Sequence, residues 1–258
     1  MAEFTADPTG RKILVTDATT PVGASVVRAM CAAGAEIVWA GRAEPWGVIP
    51  HFDDAVALPQ AEVVPLDVTD GDSVISLAGR IGGRTDIVIN TSEYMRPPAV
   101  LAGAGVETAR IQMEVAFLGL MRLAQAFGPA LAARAQEGKA HALGWVNILS
   151  INALASAPGL SSISAVHAAA HSYAEAMRAQ FRKSGLKVVN LFPGPIDDDW
   201  SRQTIPPKVS PAALAGAVVD ALRSGVEDVF PDPVARDWYA RWREDPAAFA
   251  RDIAAASA

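Results

Sequence analysis

Apolar residues fall along this chain in short dense runs separated by longer stretches of helical spacing. Lys12-Ile13-Leu14-Val15-Thr16 is apolar with β-branched residues and predicts a buried strand. The pattern recurs at Glu36 to Ala40, Val63 to Leu66, Asp86 to Asn90, Trp145 to Ser150 and Leu186 to Phe192, with a short last candidate at Asp228 to Phe230. Val26, Val27 and Met30 mark a helix over 23–33, and helical spacing also covers 73–81, 106–135, 161–183 and 211–223. Strands apolar on both faces, alternating with helices, predict a parallel sheet covered on both sides.

About seven strands in this rhythm predict an α/β fold with a doubly wound parallel sheet of the Rossmann type. Its ligand site lies beyond the carboxyl ends of the strands. The residues of interest are therefore Asp17 to Gly23, Gly41 and Arg42, Asp67, Asn90 to Glu93, Ser150, and Pro193 to Asp199. No repeat or linker divides the chain, so 1–258 is expected as one domain. Residues 1–10 are expected as a flexible leader, and 231–258 as an extension packed on the domain or at an interface. Its aromatics Trp238, Tyr239 and Trp242 suit burial within an assembly.

Composition narrows the classes. Of 258 residues 51% are apolar and 19% charged, enough for a large core. A formal net charge of −6 with scattered basic residues argues against a nucleic-acid surface. Cys31 stands alone, so no intrachain disulfide can form. The first residues are polar and lack a secretory apolar region, and no apolar run approaches the roughly twenty residues of a spanning helix. A soluble cytoplasmic protein, without membrane, is expected.

Candidate chemistry centres on one stretch. The run Gly144-Trp145-Val146-Asn147-Ile148-Leu149 leads into Ser150 and then an Ala-rich helix that carries Ile163 and His167. This resembles the catalytic segment of the short-chain dehydrogenase/reductases, which ends a strand in V-N-I-S-S and carries Y-x-x-x-K on the next helix. Ser150 matches the family's catalytic serine. Ile163 stands where the tyrosine would be and His167 where the lysine would be. The N-x-x-G motif of the preceding helix corresponds to Ala116-Phe117-Leu118-Gly119, so its asparagine is Ala116. The resemblance implies hydride transfer with a nicotinamide dinucleotide, in which the tyrosine supplies a proton to the developing alkoxide. Ile163 has no proton to give. His167 has a pKa suited to acid–base work and, with His171 one turn on, could share a face or a metal, although packing is the expected role and no metal is expected.

The cofactor loop departs similarly. Where the family reads T-G-x-x-x-G-x-G, this chain reads Thr16-Asp17-Ala18-Thr19-Thr20-Pro21-Val22-Gly23, so Asp17 and Pro21 replace two glycines. Proline removes an N–H donor. A carboxylate at Asp17, ~5 Å from a pyrophosphate charge, would cost about 3 kcal/mol at an effective dielectric of 20, on the order of a hundredfold in affinity. Asp17 could instead cap the following helix. Asp67 matches the family's adenine-contacting aspartate, Arg42 the arginine of NADP-preferring members, Asn90 the first asparagine of N-N-A-G, and Pro193-Gly194 the turn after the sixth strand. Asp197 to Asp199 add acids at the cofactor's expected place.

The resemblance with these losses implies a subunit with no intact catalytic set and no dinucleotide of its own, NAD or NADP being held by an active homologous partner. Assembly, as a heterotetramer, would use the helices at 106–135 and 161–183. An enzyme of altered chemistry using Ser150 and His167, and a small-molecule sensor, are the alternatives.

Overall fold

The computed structural model describes residues 6–43, 50–95, 105–137, 143–199, 201 and 207–256. Within these, the seven strands β1 Lys12–Val15, β2 Ile37–Arg42, β3 Ala61–Pro65, β4 Ile87–Asn90, β5 Gly144–Ile148, β6 Lys187–Leu191 and β7 Asp228–Val229 form one sheet. Its order is β3-β2-β1-β4-β5-β6-β7 and every pairing is parallel. The doubly wound Rossmann-type sheet expected from the apolar runs is therefore present. The order in which strands are added reverses across the seam between β1 and β4, which is the topological switch point of such sheets.

Eight helices flank the sheet among the described residues: α1 Pro21–Ala32, α2 Pro50–Val56, α3 Gly71–Ile81, α4 Gly105–Gln136, α5 Ser161–Phe181, α6 Pro211–Ser224, α7 Pro233–Glu244 and α8 Pro246–Ala256. Two apolar clusters fill its faces. Ile13, Val15, Val38 and Ile89 meet Val26, Met30, Phe52, Leu214 and Val218 of α1, α2 and α6. Leu14, Trp39, Val88 and Trp145 meet Leu77, Leu120, Phe127 and Met177 of α3, α4 and α5. Alternate strand residues enter opposite clusters, which is why the strands read as unbroken apolar runs.

Some boundaries differ from expectation. Helix α1 starts at Pro21 rather than Gly23: Thr20 is its N-cap, its hydroxyl accepting from Gly23 N at 3.0 Å, and proline at the first position has no N–H to waste. The capping considered for Asp17 therefore falls to Thr20. Helix α2 has no expected counterpart; its seven residues, about two turns, are too few to show a period. Helix α4 is continuous but contains a π-helical turn at Met113–Leu118, which carries Ala116. Contrary to the sequence expectation, α4 is long and apolar enough to cross a bilayer by length and composition; here it packs Leu120, Leu123, Phe127 and Leu131 into the core.

The C-terminal helices lie on the β6–β7 side. Phe192, Phe230 and Tyr239 stack with centroids 5.2 and 3.9 Å apart, Trp242 follows at 6.3 Å, and Trp238 meets Phe249 edge-on at 5.3 Å. The aromatics of 231–258 thus cover the domain's own edge.

Candidate functional site

The carboxyl ends of β1 and β4 are laced together by short polar side chains. Thr16 Oγ1 donates to Asn90 Oδ1 at 3.0 Å and lies 2.8 Å from Ser92 Oγ. Thr91 Oγ1 donates to the Asp17 carbonyl at 2.7 Å and accepts from Asp17 N at 3.0 Å. Thr16, Asn90, Thr91 and Ser92 are all buried. Asn90, a candidate cofactor residue, is thus spent on holding the seam. Gly23 keeps the first turn tight, because a Cβ there would lie 1.8 Å from the Asp17 carbonyl oxygen.

Three adjoining cavities run along this edge. One lies against the N-terminus of α1 and is lined by Thr19, Thr20, Pro21 and Val22 with Glu93 and Asp198. A second extends over the β1–β3 half, with Asp17, Thr19, Asp67, Val68 and Glu93 in its wall. The third extends over the β5–β6 half, bounded by Glu93, Ser150, Asn152, Pro193, Gly194 and Asp198. Shared walls make them one cleft, with Glu93 in all three.

The Asp17 carboxylate is tied to Thr19, the residue before the N-cap of α1. Its Oδ1 accepts from Thr19 N at 2.9 Å and Thr19 Oγ1 at 2.6 Å, closing a local turn. Burial pushes its pKa above the ordinary carboxylate value, although the Thr19 hydrogen bonds pull the other way. Burial therefore makes the charge set against a pyrophosphate more readily neutralised than the sequence suggests. Asp67 also closes a turn, accepting from Thr69 N at 2.8 Å and Thr69 Oγ1 at 2.7 Å, and it borders the β1–β3 cavity. Arg42 ends β2 with its guanidinium 5.2 Å above the Phe52 ring. Gly194 N donates to Asp232 Oδ2 at 2.8 Å, and a Cβ there would sit 2.7 Å from Asp232 Oδ1, so only glycine fits beneath α7.

The positions matched to the family's catalytic residues converge unevenly. Ser150 is 7% exposed, and its Oγ accepts from Asn152 N at 3.2 Å and Asn152 Nδ2 at 3.0 Å, leaving its own proton to donate. Ile163 is buried at 2% and Ala116 at 8%. His167 is buried at 3%, with Nε2 3.0 Å from Glu93 Oε1. His171 does not join it: it meets Phe192 edge-on at 5.0 Å, lies 3.8 Å from Glu175, and has its pKa lowered chiefly by burial. Among the described residues no group of three or more His, Cys, Asp and Glu could hold a metal. Sequence reasoning put Glu93 among the strand-end residues but missed its bond to His167. The available signal was an acid directly after three polar residues at a strand end.

A sheet of this order, with its cleft centred on the β1–β4 seam and the first helix N-terminus, belongs to the doubly wound α/β class, in which ligands bind at such a switch point. The family model for short chain dehydrogenases matches residues 11–208, and the chain belongs to that family. An uncharacterized oxidoreductase of Staphylococcus aureus (strain USA300) is 27% identical over 220 residues, 83% of this chain and 91% of that protein. The crystal structure of a short chain dehydrogenase from Burkholderia cenocepacia J2315 in complex with NADP has a TM-score of 0.85 and 28% identity, covering 96% of this chain and 98% of that one. A short-chain dehydrogenase from Streptomyces avermitilis, 23% identical with a TM-score of 0.80, shares the fold, covering 96% of this chain and 98% of that chain.

These findings overturn one expectation. The lost glycines at Asp17 and Pro21 led to the expectation that this chain holds no dinucleotide. Yet the family match spans the whole cofactor half, and the NADP-bound relative superposes along nearly the full chain. The residues present also fit such a group: the first turn stays tight at Gly23, the cleft opens on the α1 N-terminus, and the Asp17 carboxylate is tied to Thr19.

Proposed function

We propose that this chain binds a nicotinamide dinucleotide along the carboxyl edge of its sheet, but does not run tyrosine-dependent carbonyl reduction by itself. The carrying observation is the pair of substitutions on α5. Ile163, where the resemblance implies the proton donor, is a buried hydrocarbon, and the imidazole of His167 is engaged by Glu93. A dinucleotide when bound supplies a hydride; an alkoxide formed from a ketone would still need a proton from the protein, and a serine hydroxyl such as that of Ser150 is too weak an acid to be a good source. The NADP held by the Burkholderia cenocepacia relative supports a dinucleotide here too.

In the same proposal the chain acts as a supporting subunit of an active homologue, joined through α4 and α5. A groove between these helices, lined by Gln125, Pro129, Tyr173, Met177, Gln180 and Phe181, supports that placement. The test has two arms. Calorimetric titration of the purified chain with NADPH and NADH is expected to give saturable binding, with no oxidation of the cofactor across a panel of ketones. Co-expression with a neighbouring homologue carrying Y-x-x-x-K is expected to give one complex with turnover. Turnover by the chain alone refutes the absence of the relay; lack of any dinucleotide binding refutes the cofactor assignment; separate homo-oligomers refute the subunit role.

A further inference from the structure

We infer that the Glu93 carboxylate, held by His167, makes the cleft select the oxidised, cationic nicotinamide ring over the reduced, neutral one. The inference rests on the proposed dinucleotide binding.

Glu93 sits at the end of the β4 segment, immediately beyond the seam that Thr16, Asn90, Thr91 and Ser92 lock. Its side chain is 22% exposed and borders all three parts of the cleft. Its carboxylate is anchored from α5 by His167 Nε2 at 3.0 Å, a contact spanning 74 residues of sequence.

The charge of this pair follows from an atom left over. His167 Nδ1 is fully buried and has no hydrogen-bond partner among the described residues. An imidazolium would carry a buried, unpaired N–H at Nδ1, an arrangement proteins avoid strongly. A neutral imidazole with its proton on Nε2 donates to Glu93 and leaves only a lone pair at Nδ1, which is the cheaper state. Among the described residues no Lys or Arg pairs with Glu93, so the pair presents a negative charge to the cleft. Asp198, which accepts from Ser201 N at 2.9 Å, borders two of the same cavities and adds to the field. Lys208 pairs with Asp197 at 3.6 Å, not with Glu93.

In a sheet of this order the pyrophosphate lies at the α1 N-terminus and the adenosine ribose over the ends of β1 and β2. The other nucleotide then lies over β4 to β6, the half that Glu93 and Asp198 border. Oxidised and reduced dinucleotides share every phosphate, ribose and adenine contact. The ratio of their affinities therefore cancels Asp17, Pro21 and the choice of NAD or NADP and keeps what differs at the ring, its charge together with its shape, and Glu93→Gln singles out the charge.

The experiment is calorimetric titration of the full chain with NADP+ and NADPH, and with NAD+ and NADH. The wild-type protein is expected to bind the oxidised member of each pair more tightly. Glu93→Gln is expected to cut that preference by roughly tenfold, as loss of one charge near the ring in a partly screened cleft would. His167→Gln, which keeps an N–H for the carboxylate, is expected to retain it. A folded Glu93→Gln with an unchanged ratio, or a wild-type preference for the reduced form, overturns the inference while leaving dinucleotide binding intact. Should Glu93→Gln not fold, the wild-type ratio for oxidised and reduced nicotinamide mononucleotide decides in the same way. Failure of every dinucleotide to bind overturns the proposed cofactor and this inference together.

Discussion

Asp17 is the residue whose effect the one-dimensional pattern most exaggerates. A carboxylate in a phosphate turn reads as a repulsive charge, and the geometry instead folds it onto Thr19. Burial raises its pKa, and the sign of the consequence is fixed by linkage. A carboxyl whose folded pKa is raised contributes stability that is complete below its unfolded pKa and is lost as pH rises through the folded value. At neutral pH the charged Asp17 is therefore a net cost to the fold. An asparagine side chain in its place would keep an oxygen for both Thr19 bonds and carry no charge. Asp17→Asn is expected to raise the melting temperature at pH 8, with the gain vanishing below pH 3.8, where both side chains are neutral. It is also expected to tighten NADPH binding by about tenfold. Melting curves at the two pH values and one titration check both; a variant less stable at pH 8 would mean the carboxylate is needed as an anion. Gly23→Ala tests the same turn from the other side. Its Cβ would meet the Asp17 carbonyl oxygen at 1.8 Å, so the loop or α1 must move, and dinucleotide binding is expected to fall below detection.

Among the elements, the joint between α5 and the last two strands rests on one side chain. Arg178 is 8% exposed on α5. It donates to the Val188 and Glu227 carbonyls at 3.2 and 2.9 Å, to Glu175 at 2.7 Å, and to Asp228 at 2.7 Å. Burial would lower its pKa, but the carboxylates around it, Asp228 first, leave it raised overall. Arg178→Met keeps the apolar stem and removes the head, orphaning two carbonyls while the half-exposed acids return to water. A loss of about 2–4 kcal/mol is expected, or roughly 5–12 °C in melting temperature for a domain of this size. A loss under 1 kcal/mol in a urea melt would show that water replaces the guanidinium without penalty. Glu175 is a local partner of Arg178, but nothing in the sequence marks the joint itself, since Val188, Glu227 and Asp228 lie 10, 49 and 50 residues away and only the sheet order brings them together. The strands and the longer helices were legible, because burial on both faces and helical spacing are local signals. The tie from Glu93 to His167 was not, for the same reason as Arg178: it joins a strand end to a helix that the chain reaches only after another strand has been laid down. Ile163, where the family resemblance puts tyrosine, was legible as a single letter, and the Thr19 turn that ties the Asp17 carboxylate was hidden because it depends on which way a side chain rotates.

For the whole molecule, the relevant property is that one cleft spans both halves of the sheet across a seam made rigid by buried hydroxyls. The side near Asp67 and the side bordered by Ser150 and Gly194 belong to the same body, since β1 and β4 pair in register and Thr16 bonds to Asn90 and Ser92. A ligand that fills both sides should therefore act as a strut, and its two parts should gain from being joined, because the second contact is made at high effective concentration once the first has formed. At about 100 times its dissociation constant a ligand confined to the folded state adds roughly 2.7 kcal/mol, or roughly 5–10 °C here. NADPH is expected to give such a shift in a thermal melt. At the same concentration adenosine monophosphate and nicotinamide mononucleotide, added separately or as a mixture, are expected to give much less. If adenosine monophosphate alone reproduces the full shift, the β4–β6 half is not a nucleotide subsite, and Glu93 faces some other ligand or none. If the dinucleotide exceeds the mixture, the two halves of the sheet act on one molecule, as the rigid seam between β1 and β4 requires.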